Sequence, residues 1–149
     1  MKRIWRITLI VLLVALGTFM LWPRELEEGF DTSESIAVSA TIFGITNGKL
    51  NNRVEQFELP AGSEAGARIG ELLSQHTYHL TLSTLTGDET IEGPTMVLHL
   101  FNGKGEHLTL TGGTGELNLN HRIYRLDYWG ADRGTELCEA VLAILREDA

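Results

Sequence analysis

The first 23 residues constrain this chain more than any other segment. Positive charges come first, at Lys2, Arg3 and Arg6. An apolar run then extends to Trp22, and counted from Ile4 it contains 19 residues. A bilayer core of about 30 Å requires roughly 20 helical residues, and the Arg6 side chain can extend back to the headgroups. Residues 1–23 are therefore predicted to form a transmembrane helix.

The flanks of this run predict its orientation and whether it is retained. Trp5 and Trp22 bracket it, at the depth where indole rings meet the headgroups. Because the cations precede the run, the positive-inside rule places the N-terminus in the cytoplasm and the following domain outside. Signal cleavage requires small residues before the cut, and Ala15-Leu16-Gly17 is the candidate. Cleavage there would leave an apolar N-terminus, so an uncleaved, single-pass signal anchor in the cell membrane is favoured over a secreted form.

Charge distinguishes the rest of the chain from the anchor. All 20 acidic residues but only nine of the 12 basic residues follow residue 23, which gives this part a formal net charge of −11. This charge argues against nucleic acid as a partner. Solubility is its simplest role, and attraction of a cationic partner is the alternative. Residues 24–35, RELEEGFDTSES, predict an acidic linker before a domain over residues 36–149.

Strand patterns separated by tight turns dominate the middle of the chain. Asn47-Gly48 is the strongest hairpin signal, because both positions tolerate positive φ. Tight turns join antiparallel strands, so the sheet is predicted to be antiparallel. Alternating apolar residues predict six or seven strands, at about residues 36–45, 50–59, 77–82, 95–101, 106–111, 116–118 and 123–127.

The strands at 95–101 and 106–111 allow their register to be derived. A two-residue loop would put their apolar residues on opposite faces. A three-residue loop ending at Gly105 pairs Leu100 with Leu108 and brings the apolar faces together. That loop requires a left-handed residue at its end, which glycine supplies. The second register is therefore predicted.

Two stretches have the apolar period of amphipathic helices. One begins after Ser63, whose hydroxyl can cap its first turn, and includes Leu73. The other lies near the C-terminus, capped by Asp132 or Thr135, and its apolar stripe includes Cys138 as a small buried hydrophobe. The predicted fold class is α+β, with an N-terminal transmembrane helix and an antiparallel sheet covered on one face by the two amphipathic helices.

Three histidines are candidate metal ligands. In the derived register His99 and His107 lie on the solvent side of their hairpin, and His79 lies on a neighbouring predicted strand, opposite the core side chain of Tyr78. Three outward histidines on adjacent strands could bind Zn²⁺. However, no Cys-x-x-Cys, His-x-His or His-Glu-x-x-His spacing supports this site. Polar decoration of an exposed face is the simpler interpretation, and no metal or other cofactor is predicted.

Catalytic motifs are not recognisable in this chain. The Gly-rich turn at residues 112–115 lacks the Lys-Ser/Thr of a phosphate-binding loop, and no Gly-x-Ser-x-Gly elbow occurs. Cys138 lies within an apolar stripe, away from an activating base. We therefore predict that the chain is not an enzyme. Tyr124, Tyr128 and Trp129 form an aromatic cluster that suits packing against the last helix, or alternatively a partner contact.

The C-terminal part resembles a group of small uncharacterised membrane-anchored or exported domains of Gram-positive bacteria. The resemblance covers about 100 residues. It rests on the short anchor, the Thr-rich strand pair, the closing amphipathic helix and an Asn-x-x-x-Tyr-x-Leu strand from Asn120 to Leu126. It implies an extracytoplasmic location and a fold class, and it implies no activity.

These observations predict a membrane-tethered extracytoplasmic domain that binds a protein or peptide and has no enzymatic activity. The Thr-rich sheet face or an open sheet edge would be its contact surface. One alternative is a metal-binding domain that uses the sheet histidines. The other is a structural envelope protein that self-associates.

Overall fold

The computed structural model describes residues 2–86, 95–128 and 133–149. Within these residues the chain is an α+β protein with an N-terminal apolar helix and one eight-stranded antiparallel sheet. The elements follow in the order α1 (Lys2–Leu21), β1 (Arg24–Glu25), α2 (Leu26–Gly29), β2 (Ile36–Thr46), β3 (Lys49–Leu59), α3 (Glu64–Ser74), β4 (Thr77–His79), α4 (Leu82–Thr86), β5 (Met96–Asn102), β6 (His107–Thr111), β7 (Glu116–Leu119), β8 (Arg122–Leu126) and α5 (Arg133–Asp148).

The sheet has the strand order β1-β4-β8-β7-β6-β5-β2-β3, and its recorded strand pairs are all antiparallel. The predicted antiparallel sheet is thus confirmed. The eighth strand is β1, a two-residue strand within the segment that was predicted to be a linker. The C-terminal half folds as a meander from β5 to β8, and the β2–β3 hairpin is added at the β5 edge.

The turn residues select the hairpin geometry as expected. Asn47 and Gly48 have φ of +53° and +71°, the conformation of a two-residue type I′ turn. In the β5–β6 hairpin Leu100 pairs with Leu108, and Gly105 has a φ of +83°. The derived register, with its three-residue loop, is therefore confirmed.

The core combines the inward face of the sheet with the apolar stripes of α3 and α5. Ser63 caps α3 by accepting a hydrogen bond of 3.1 Å from the backbone N–H of Gly66. Leu73 of α3 and Leu98 of β5 are fully buried in one cluster. Cys138 of α5 belongs to the same cluster, which confirms that it packs as a small hydrophobe.

The prediction that residues 24–35 form a solvated linker is wrong. Leu26 and Phe30 are four residues apart, one helical turn, and both are completely buried in the core. Farther along, the backbone N–H of Asp31 donates to Glu106 Oε2 at 2.9 Å, and Asn102 Nδ2 donates to the carbonyl of Asp31 at 3.0 Å. Two apolar residues among acidic ones are enough to fix the segment because they fill the core. The folded domain therefore begins at β1.

The predicted strand over residues 77–82 is also shorter than expected. Only Thr77–His79 forms a strand, and Leu82–Thr86 forms the one-turn helix α4. Leu82, which would share the core face of Tyr78 if the strand continued, is 72% exposed. Thr84 at the centre of α4 hydrogen-bonds to the carbonyl of Ile123. This contact with β8 favours a turn of helix over the alternating pattern in the sequence.

Helix α1 meets the requirements of a membrane span. Residues Arg3–Leu21 have a mean hydropathy of 2.2, and none of this span is buried against the rest of the chain. It is the one such helix in the described part of the chain, and an N-terminal signal sequence has the same length and composition.

Candidate functional site: a groove on the outer face of the sheet

The outer face of the sheet, opposite the core, contains a groove of about 300 Å³. Alternation along β5 to β8 places its lining side chains, since residues two apart in a strand share a face. Three apolar residues, Val97, Leu117 and Ile123, and seven polar ones contribute to its lining. The polar ones are His99, His107, Thr109, Thr111, Thr114, Glu116 and Asn118.

Three side chains meet at one end of the groove. His99 Nδ1 lies 3.4 Å from His107 Nε2, and Thr109 Oγ1 lies 3.1 Å and 3.0 Å from these two nitrogens. Each of the three groups can donate or accept a hydrogen bond, depending on the imidazole tautomers. The cluster can therefore present either donors or acceptors to a ligand.

The charged form of His107 is disfavoured in this cluster. Burial, followed by the neighbouring imidazoles of His99 and His121, lowers the pKa of His107 below its usual value of 6.5. Its Nδ1 atom is buried and has no hydrogen-bond partner among the described residues. Phe101 stacks on the ring at 4.3 Å with an angle of 3°, and is itself 47% exposed. An exposed aromatic ring therefore lies beside the groove and is stacked on His107.

The three-histidine metal site that the sequence offered as an alternative does not form. His99 and His107 are adjacent, but His79 lies on β4, separated from β6 by β7 and β8. His79 was also predicted to face solvent, and it is 5% exposed. It lies opposite Tyr78 as expected, but Tyr128 stacks over it at 4.7 Å. Within residues 2–86, 95–128 and 133–149, no group of three His, Cys, Asp or Glu side chains is arranged to hold a metal ion.

The predicted aromatic cluster is divided between two places. Tyr124 is partly buried against the core and makes an edge contact of 4.9 Å with Tyr78. Tyr128 covers His79 and is 40% exposed. Trp129 lies outside the described residues. Tyr124 and Tyr128 therefore do not form one joint contact surface.

The C-terminal end of α1 is attached directly to the domain. The backbone N–H of Leu80 donates to the carbonyl of Met20 at 3.1 Å, and the Tyr128 hydroxyl donates to the carbonyl of Leu21. The last carbonyls of a helix have no partners within it, so these bonds act as caps supplied by the domain. Trp22 follows at once and is 62% exposed.

The other predicted anchor residues lie at the start of α1. Trp5 is 77% exposed, Arg3 and Arg6 are exposed as well, and the helix begins at Lys2.

The buried thiol of Cys138 lacks the features of a reactive group. Burial, with a smaller effect from Glu139, raises the pKa of the Cys138 thiol to about 12. A thiol with this pKa is not a nucleophile near neutral pH. The sequence did not single out Thr111, Glu116 or Asn118 as site residues, although strict alternation in β6 and β7 places them on the outer face.

A comparison of the chain with protein-family models, with curated proteins and with solved structures found no match.

Proposed function

We propose that this chain is a single-pass membrane-tethered protein whose domain lies outside the cytoplasm and binds a protein or peptide without catalysing a reaction. The observation that carries this proposal is the groove on the outer face of the sheet. We further propose that α3 and α5 cover the core face alone, which leaves the groove accessible.

The chemistry of the groove suits an extended polypeptide. Thr109 and the imidazoles of His99 and His107 offer hydrogen bonds to backbone N–H and C=O groups. Val97 and Ile123 add apolar surface for a side chain. Phe101 is an exposed aromatic anchor at the rim, the type of residue that contributes most to binding at interfaces.

The negative charge of the domain favours a basic polypeptide as its ligand. The part of the chain after residue 23 has a formal net charge of −11. An acidic domain accelerates encounter with a basic partner and repels an acidic one. We therefore expect a basic segment in the groove, and we expect its affinity to fall as ionic strength rises.

The exposed surface of α1 supports membrane attachment. Its apolar side chains have no protein to cover them, and a bilayer is the environment that satisfies such a helix. Its N-terminal cations favour a cytoplasmic N-terminus. Because Leu80 and Tyr128 cap α1, we expect the groove to be held at a fixed position relative to the membrane surface.

Site-specific photo-crosslinking in membranes tests this proposal. A photoreactive residue replaces Phe101 at the groove rim, and a matched probe replaces Glu71, which is exposed on α3. We expect a crosslinked polypeptide from the Phe101 probe and none from the Glu71 probe.

A variant that fills the groove supplies the second control. Thr109→Arg places a long cation beside the histidines, and the Phe101 adduct should then be lost although the protein still inserts and folds. Equal labelling from both probes, or an adduct that persists in Thr109→Arg, would contradict the proposal.

A further inference from the structure

The β2–β3 hairpin leaves one edge of the sheet open. β3 is last in the strand order and pairs with β2 alone among the described strands. Every residue from Lys49 to Val54 is exposed, and the apolar side chains of Leu50 and Val54 are 70% and 57% exposed. An open edge strand with exposed apolar side chains is a template for pairing with another strand.

The turn determines which backbone groups point outward. The residues that flank a two-residue turn, here Thr46 and Lys49, exchange both of their backbone hydrogen bonds. Hydrogen-bonded pairs then alternate along the hairpin, so the odd-numbered residues of β3 bond to β2. The N–H and C=O groups of Leu50, Asn52 and Val54 therefore face the open edge. An added strand must pair with these residues.

We propose that a second copy of this chain occupies the edge, with the two β3 strands antiparallel about a two-fold axis at Asn52. In this register Asn52 of one copy lies opposite Asn52 of the other, and Leu50 lies opposite Val54. On the other face of the ribbon, Lys49 lies opposite Glu55. The outward-facing residues of each copy then pair with one another, as the hydrogen-bond pattern requires.

The register is complementary in both polarity and charge. The two-fold axis produces each contact twice, so two Leu–Val pairs cover the exposed apolar side chains and two Lys–Glu pairs lie on the opposite face. Arg146 already orients the Glu55 carboxylate through hydrogen bonds of 2.9 Å and 2.8 Å. Pairing adds about six backbone hydrogen bonds.

A slip of two residues moves the axis to Asn51 or Arg53 and satisfies the same hydrogen-bond pattern with poorer contacts, because Leu50 would then lie opposite an amide side chain, Asn52 or Gln56. A slip of four residues, to an axis at Val54, would place Leu50 opposite Glu58 and leave the apolar side chain beside a carboxylate. The register at Asn52 pairs apolar with apolar residues and is therefore favoured.

The fold leaves room for this pairing. β2 pairs with β5 only as far as Ile42, so the half of the hairpin near its turn projects beyond β5. Two copies can join along these projecting halves. Strands β1 and β4, which are nearest to α1, lie at the edge of the sheet opposite to β3. The α1 helices of the two copies therefore lie at the far edges of the joined sheet.

Cysteine crosslinking of the full-length chain in detergent tests the register. Asn52→Cys places two thiols on a hydrogen-bonded pair with a Cα–Cα distance of about 5.5 Å, within the range of a disulfide. Gln56→Cys is the matched control, since Gln56 is another exposed amide on the same face of β3. Its two copies would lie about 27 Å apart. The native Cys138 is buried and does not compete.

We expect a disulfide-linked dimer of Asn52→Cys upon mild oxidation and a monomer of Gln56→Cys. Equal crosslinking of the two variants would indicate random collision or association through α1, and would overturn the proposal. Absence of a dimer with Asn52→Cys would overturn it as well.

Charge variants test the same contact without a crosslink. Leu50→Glu and Val54→Lys should each weaken dimerisation about tenfold, because each places a charge against an apolar side chain. A mixture of the two variants should form a heterodimer of near wild-type affinity, since one contact becomes Glu–Lys and the other remains Val–Leu. Analytical ultracentrifugation measures the dimerisation of each variant and of the mixture. A mixture no tighter than either variant alone would contradict the register.

Discussion

Truncation of Phe30 measures whether the segment after the membrane helix belongs to the folded domain. The Phe30 side chain is fully buried. Removing a buried phenyl ring costs about 2–3 kcal/mol in transfer free energy. The cavity left behind raises the total for Phe30→Ala to about 3–5 kcal/mol. A solvated linker would give a change near zero, so the two interpretations differ by several kcal/mol.

Phe101 provides the matched control, because it is also a phenylalanine but is 47% exposed on the outer face. We expect Phe101→Ala to cost about 1 kcal/mol. Urea unfolding of the full-length protein in detergent, followed by circular dichroism, measures both changes in the free energy of unfolding. A cost for Phe30→Ala no larger than that for Phe101→Ala would refute the assignment of this segment to the core.

Three further perturbations address the packing of α5, the buried histidine and the attachment of α1. Gly134→Ala would place a Cβ atom in steric conflict with the carbonyl oxygen of Thr114, so we expect the free energy of unfolding in urea to fall by about 1–3 kcal/mol. A neutral effect would show that α5 can shift. Burial, followed by the charge of Arg125, lowers the pKa of His79 below 6.5, so the unfolded chain takes up this proton more readily than the folded one. Acidification below pH 6.5 should therefore destabilise the wild type more than His79→Gln. Parallel curves of stability against pH for the two proteins would contradict this. Tyr128→Phe removes the hydroxyl that caps α1 and should accelerate hydrogen exchange at the junction between α1 and β1; unchanged exchange would exclude the tether.

Local sequence patterns were sufficient for the features that depend on neighbouring residues. Asn47-Gly48 specified its turn because few residue pairs tolerate two positive φ values. The pairing of Leu100 with Leu108 followed from a single requirement, that apolar residues share one face. The same requirement predicted that His99 and His107 lie on the outer face of the sheet.

Patterns failed where a distant part of the chain decides the environment. Leu26 and Phe30 are two apolar residues among acidic ones, and nothing local shows that the core has space for them. His79 has the strand parity expected of an outward residue, but Tyr128, 49 positions later, covers it. The position of β4 at the far side of β8 likewise separates His79 from the other histidines.

The sequence by itself determined an apolar helix long enough to span a membrane, an antiparallel α+β domain, its hairpin turns and the register of the β5–β6 hairpin. These features depend on the length and polarity of segments and on the φ preferences of adjacent residues. Only the tertiary structure decided that the acidic segment is part of the core, that the groove gathers side chains from four strands, and that β3 is left at an open edge. Strand order and burial depend on contacts between residues far apart in the chain, which a local pattern does not encode.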